Sequence, residues 1–163
     1  MIPSGSRKSL VISSKGQSVR AQGHVMGEYQ YDESIKSFKQ RSTIQNDKSS
    51  YLYPFSKHMW IVGPIVGSSM GSIYSTYTND AVISSLSSVS WRFKQFSNAF
   101  KLDNNIQVEF GKLAACSRIQ VNLFDDVARL MTWIQGTYYR TSDWKYGQPV
   151  YEKETTGEYF TRI

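Results

Sequence analysis

Apolar positions in this chain recur with a period of two over short runs, and turn-forming residues separate the runs. Ile106-Gln107-Val108-Glu109-Phe110 is the cleanest case, with three apolar residues on one face and two polar ones on the other. That is the pattern of a half-buried strand. Ser90–Phe96 puts Trp91, Phe93 and Gln95 on one face, and Val25–Tyr31 sets Tyr29 and Tyr31 opposite Glu28 and Gln30. Further strands are predicted at Ser9–Ser13, Ser37–Thr43, Tyr51–Phe55 (interrupted by Pro54), Met59–Val62, Ser72–Tyr77 and Ser117–Leu123. Lys15–Gly23 and the serine-rich stretch 80–90 read as loops, and Asn46–Ser50 and Asn104-Asn105 carry turn chemistry. Strand, turn, strand at short spacing favours antiparallel hairpins. One stretch departs from this period. Phe124, Val127, Ala128, Met131 and Ile134 fall at helical spacing, Asp125 and Asp126 suit a first turn, and Gly136 closes it. A strand through Met131–Ile134 is the competing reading.

The chain also nearly repeats itself. Gly27-Glu28-Tyr29 is followed by Phe38 and then Tyr51-Leu52-Tyr53. Gly136-Thr137-Tyr138 is followed by Pro149-Val150-Tyr151 and then Tyr159-Phe160, at an offset of about 109 residues for the glycines. Leu10-Val11-Ile12 before the first copy corresponds to Ile119-Gln120-Val121 before the second. Self-similarity at a fixed period marks repeat architecture. The predicted fold is therefore mainly β: an antiparallel sandwich or barrel-like module, followed by an incomplete second copy, with one short helix between. The expected divisions are a basic N-terminal arm with a first strand over 1–24, a first β-module over 25–111, a linker with the short helix over 112–135, and the second copy over 136–163.

These marks carry a resemblance. The order Gly-x-Tyr, Tyr-Leu-Tyr, Trp-Ile-Val-Gly, spaced glycines, a late Trp-x-Phe and an Ile-x-Val strand resembles an uncharacterised tandem β-repeat module of large extracellular and surface proteins of invertebrates and protists. By position the resemblance implies structural roles for Gly27, Tyr29, Tyr51, Tyr53, Trp60, Gly63, Gly71 and Trp91 in the first copy. In the second it implies them for Gly136, Pro149, Tyr151 and Tyr159. It further implies an extracellular or surface setting. The first copy departs from the pattern in lacking a Gly-x-Pro-Val-Tyr turn.

Composition narrows the chemistry. Aromatics are 14% of the chain, with eleven Tyr, eight Phe and four Trp, which suits strands. The net charge is +6, and Arg7, Lys8, Lys15 and Arg20 stand without an acid before Met26. Such an arm can neutralise phosphates, although four charges spread over it read first as a solvated terminus. Cys116 is the only cysteine and His24 and His58 the only histidines. No intrachain disulfide can form, no metal-ligand spacing arises, and Cys116 reads as a small buried hydrophobe. Gly67 and Gly71 lack the following Gly-Lys-Ser/Thr of a phosphate loop. Asp125-Asp126 are neighbours that would not face one another on a helix. No run approaches about 20 apolar residues, and Leu10-Val11-Ile12 is too short for a signal-peptide core. No catalytic residue, metal ligand or cofactor site is expected.

What remains is a surface. Tyr138, Arg140, Trp144, Lys145 and Tyr146 fall on a predicted hairpin, where such aromatics read first as filling and edging a small β core and otherwise as a face on which aromatics beside cations anchor a partner or stack on bases. Trp144 is the one expected to be surplus to the core. The expected function is a non-enzymatic module for protein–protein or surface assembly through β edges and aromatic anchors. Its partners would be other proteins, including copies of itself by strand addition at an open edge around Tyr159. The alternative is a binder of nucleic acid or an anionic surface, using the basic arm and the Tyr/Trp-Lys/Arg face.

Overall fold

The computed structural model describes residues 8–45, 48–124 and 129–154. They form a mainly β chain with one large curled antiparallel sheet, a half-barrel, and a smaller second sheet. The residues group into two compact units: Met1–Leu113 with the turn Lys145–Gln148, and Ala114–Trp144 with Pro149–Ile163.

The large sheet belongs to the first unit. Its strands are β1 (Ser9–Ser13), β2 (Gly27–Asp32), β3 (Ser37–Gln40), β4 (Tyr51–Ser56), β5 (Met59–Gly63), β6 (Ile73–Ser75), β7 (Trp91–Lys94), β8 (Phe100–Leu102) and β9 (Gln107–Phe110). The first eight form a meander, each pairing with the next, and β9 returns to the outer side of β1. The alternation read from the sequence decides which face is buried. Leu10 lies opposite Tyr29, Phe38 opposite Leu52, Leu52 opposite Val62, and Ile73 opposite Phe93. All of these belong to one buried cluster with Ile12, Trp60, Trp91 and Val108. Each such side chain contributes roughly 1.5–3 kcal/mol when fully buried. Val25 and Met26, together with Ile83 and Leu86 from a 3-10 turn (Ile83–Ser87), close the cluster from inside the curl.

Pro54 is tolerated because of where β3 ends. β3 pairs with β4 only at Leu52 and Tyr51, so the missing N–H of Pro54 removes no ladder bond on that side. On the other side the register slips between Pro54 and Ser56.

Two expectations are corrected. Lys15–Gly23, read as a loop, contains the helix α1 (Ser18–Gln22) followed by a 3-10 turn (Gly23–Val25). α1 is five residues long and has no side-chain cap, so it leaves no sequence signal; a short helix is held by tertiary contacts. Here Gln22 Nε2 donates to the Lys94 carbonyl at 2.7 Å. β8 is a strand that the sequence pattern does not predict, being three residues long. The first strand expected at Ser9–Ser13 is β1, paired on both sides. The helix expected around Phe124–Ile134 falls partly outside the described residues. Arg129 and Leu130 are helical, and Thr132–Ile134 forms a 3-10 turn.

Asp103 ties the entry of α1 to the β8–β9 connection. Its Oδ2 accepts from Ser18 N–H at 3.1 Å and from the Ser14 hydroxyl at 3.3 Å, and its Oδ1 accepts from Asn105 N–H at 2.9 Å and Nδ2 at 3.0 Å. Burial alone would raise its pKa, but these hydrogen bonds to the charged form outweigh burial and hold it at about 2, against 3.8 for a free aspartate. The folded value is the depressed one. The carboxylate therefore stabilises the fold fully above pH 4 and loses that stabilisation as pH falls through about 2. At about 1.4 kcal/mol per unit, the contribution is about 2 kcal/mol. Denaturant midpoints at pH 6 and pH 2.5 should fall further for the natural chain than for Asp103→Asn; equal falls would exclude this role.

The second unit holds β10 (Arg118–Val121), β11 (Gly136–Lys145) and β12 (Gln148–Lys153) in an antiparallel sheet with β11 in the middle. Its construction matches the start of the first unit at several contacts. Ile12 opposes Gly27 and Leu10 opposes Tyr29; Val121 opposes Gly136 and Ile119 opposes Tyr138. The Tyr29 hydroxyl donates to the Val25 carbonyl and that of Tyr138 to the Ile134 carbonyl, both at 2.6 Å. Burial raises the pKa of both phenols. Gln40 Nε2 donates to the His24 carbonyl at 2.8 Å, and Lys153 Nζ to that of Trp133 at 2.7 Å. Gly27 and Gly136 share positive φ, at 110° and 140°.

Candidate functional site

The resemblance-marked residues among the described ones sit in the packed framework. Tyr29, Tyr53, Trp60 and Trp91 are buried, and Tyr51 is half-buried between Lys39 and Gly63. The Tyr53 hydroxyl donates to the Ser68 carbonyl at 2.7 Å and Trp60 Nε1 to Ser85 Oγ at 3.3 Å. Gly63 and Gly71 let the loop 64–72 lie against β5, since a Cβ on Gly63 would sit 2.8 Å from the Met70 carbonyl oxygen. Pro149 and Tyr151 are half-buried on β12, the Tyr151 hydroxyl donating to the Cys116 carbonyl at 2.9 Å. Tyr159 lies outside the described residues, and with it the open edge expected there.

The five residues of the expected anchor do not form one exposed face. Tyr138 is fully buried and Trp144 is only 8% exposed, so Trp144 is not surplus to the core. Arg140 is exposed and donates to the Ala115 carbonyl at 3.3 Å. Lys145 and Tyr146 are exposed at the turn, with the Lys145 ammonium 5.2 Å from the Tyr146 ring centroid. Cys116, expected to be buried, is exposed. His58 is held by Nδ1 at 2.9 Å from the Thr78 carbonyl and by stacking on Tyr77 at 4.5 Å. Among the described residues no group of three or more His, Cys, Asp or Glu side chains could hold a metal ion, and no helix is long and apolar enough to cross a membrane.

The turn next to Tyr146 does something the sequence does not disclose. Tyr146 and Gly147 both have positive φ, 50° and 70°, the backbone of a two-residue hairpin turn whose twist matches its strands. Gly147 then inserts its peptide groups between β2 and the residue after β3. Glu28 N–H donates to the Gly147 carbonyl at 2.8 Å, Gly147 N–H to the Arg41 carbonyl at 2.9 Å, and Arg41 N–H to the Glu28 carbonyl at 2.9 Å. In an antiparallel ladder the Glu28/Arg41 pair would exchange two bonds directly; here one of the two runs through Gly147. The buried Glu28 carboxylate supports this rung, accepting from Arg41 Nη1 at 3.1 Å and Leu113 N–H at 3.0 Å.

An exposed strand edge lies at the other end of the large sheet. β8 pairs only with β7. Gln95 N–H donates to the Ala99 carbonyl and Asp103 N–H to that of Trp91, which fixes the ladder phase. Lys101 faces β7, so Phe100 and Leu102 direct N–H and C=O outward, away from the sheet. Their side chains are each 47% exposed. Beside them lies a groove of about 440 Å³ lined by Met59, Tyr74, Thr76, Tyr77, Arg92 and Phe100, with the Tyr74 and Phe100 rings edge to face at 4.7 Å. Met70 lines an adjoining groove with Tyr74 and Phe100 and is strongly exposed. The opposite edge, β9, carries exposed Gln107 and Glu109 and packs against the 3-10 turn Ile83–Ser87, devices that blunt an edge. The β8 edge is three residues long and carries one exposed charge, Lys101, between Phe100 and Leu102. No family model, curated protein or solved structure matches this chain.

Proposed function

We propose that this chain is a non-enzymatic interaction module that assembles by strand addition at β8, with a second copy of itself as the occupant. The observation that carries the reading is the pair Phe100 and Leu102, whose outward backbone groups and half-exposed side chains lie next to an aromatic groove. In strand addition the backbone supplies affinity and pockets for alternate side chains supply specificity. The sequence of β8 favours its own kind. An antiparallel β8–β8 pair centred on Lys101 sets Phe100 against Leu102 twice, forms up to four ladder bonds, and closes with two-fold symmetry. Lys101 points to the other face, where its Nζ is already bonded to Gln17 Oε1 at 2.8 Å.

Sedimentation of the natural chain at two salt concentrations tests this. The expected result is concentration-dependent dimerisation that is insensitive to salt and weakened at least tenfold by Leu102→Lys, about 1.4 kcal/mol or more. A monomer at all concentrations contradicts the reading. Retention on double-stranded DNA that collapses steeply with salt would favour the anion-binding alternative instead.

A further inference from the structure

The turns that follow β5 and β7 lie side by side, and both invert the usual surface loop, whose side chains are polar. In residues 64–72 the polar groups are tied into the fold. The Tyr53 hydroxyl donates to the Ser68 carbonyl, Gly71 N–H donates to the Tyr74 hydroxyl, and that hydroxyl donates to the Ser69 carbonyl, each at 2.7 Å. The apolar side chains stand in solvent instead: Ile65 is 65% exposed and Met70 72%. The turn after β7 is built alike. Gln95 N–H donates to the Ala99 carbonyl at 2.8 Å and Asn98 N–H to that of Gln95 at 3.0 Å, while Phe96 is 83% exposed. Lys94 N–H donates to the Ser72 carbonyl at 2.9 Å, which fixes one turn beside the other.

The surroundings are basic. From Lys57 to Leu102 the sequence sets Lys57, Arg92, Lys94 and Lys101 against a single acid, Asp80. Ala81 N–H donates to the Lys57 carbonyl, so Asp80 lies near the start of β5, at the end away from residues 64–72. Arg92 and Lys94 share one face of β7, opposite the buried Trp91 and Phe93. Lys94 also lines the groove that holds Met70 and Phe100.

We propose that these two turns dock on an anionic lipid bilayer. Ile65, Met70 and Phe96 enter the boundary between headgroups and acyl chains, and Arg92 and Lys94 meet the lipid phosphates. A few apolar tips attach only weakly by themselves, and basic side chains beside them supply the second signal that reversible membrane binding needs. The three tips hold none of the Trp, Tyr and Arg that dominate protein hot spots, so a bilayer is the occupant they fit.

The inference goes beyond assembly at β8 and uses other side chains. The test is cosedimentation of the full chain with phosphatidylcholine vesicles, with and without about one third phosphatidylserine as the anionic lipid. The expected result is binding to the phosphatidylserine vesicles alone, weakened at least about tenfold in the double variant Phe96→Ser with Met70→Ser. Both positions are strongly exposed, so that variant should melt with the natural chain. Absence of binding to the phosphatidylserine vesicles overturns the proposal. Equal binding by the double variant also overturns it, because the attraction would then come from charge elsewhere, such as the N-terminal arm. A second readout is Phe96→Trp, whose added fluorescence should be quenched by lipids brominated on the acyl chains; a bound but unquenched variant contradicts insertion. Leu102→Lys separates the two ideas, since it should abolish β8 pairing and leave vesicle binding in place.

Discussion

Gly27→Ala is expected to destabilise the chain by about 3 kcal/mol or more. Two costs combine. The backbone φ of 110° is a region that residues with a Cβ occupy only under strain of order 1–3 kcal/mol. The added methyl would also lie 2.6 Å from the carbonyl carbon of Gly147. That obstacle is backbone, so no rotamer change relieves it, and the turn must withdraw from the Glu28/Arg41 rung. Gly67→Ala provides the comparison, because Gly67 has φ 81° but nothing within 4 Å of where its methyl would lie. Urea denaturation should show a loss for Gly27→Ala well beyond that for Gly67→Ala, the excess measuring the inserted turn. Equal losses would mean that the rung contributes nothing.

Trp91→Ala is expected to cost about 3–5 kcal/mol, the range for emptying a large aromatic site in a core. Trp91 is 1% exposed within the main cluster. Its carbonyl also accepts from Asp103 N–H at 2.9 Å, so the cavity opens beside the residue that anchors α1. Phe96→Ala, at a position 83% exposed, should stay within about 0.5 kcal/mol of the natural chain. Thermal or denaturant melting of the pair checks the contrast. A Trp91→Ala loss under about 1 kcal/mol, far below the range for such a cavity, would show that the curl is held by its ladder rather than by its interior.

These two residues also mark how far the sequence can be read. Trp91 is legible because it alternates with Phe93 against Arg92 and Lys94, and alternation alone assigns the buried face of a strand. The copies are legible for the same reason: Gly27-x-Tyr29 and Gly136-x-Tyr138 carry a positive-φ entry and a buried phenol, each repeated with the same bond. The features on which the proposed interaction rests are not legible. Which edge of a nine-stranded sheet stays open depends on the order of its strands, and the return of β9 to β1 leaves no local trace. β8 is too short for alternation, so Phe100 and Leu102 read as connection. Trp144 reads as surplus on a short hairpin, yet it is buried. Lys145-Tyr146-Gly147-Gln148 reads as a turn, but its second role depends on Glu28 and Arg41, more than a hundred residues away.

If β8 is the assembly edge we propose, amide hydrogen exchange at Phe100 and Leu102 reports it most directly. Both N–H groups point out of the sheet, so in dilute monomer they should exchange rapidly. Raising the protein concentration should protect both together, in parallel with dimer formation, while the N–H of Lys101, already directed at β7, changes little. Rapid exchange at Phe100 and Leu102 under conditions where the chain is fully associated would contradict the claim, because the contact would then lie elsewhere.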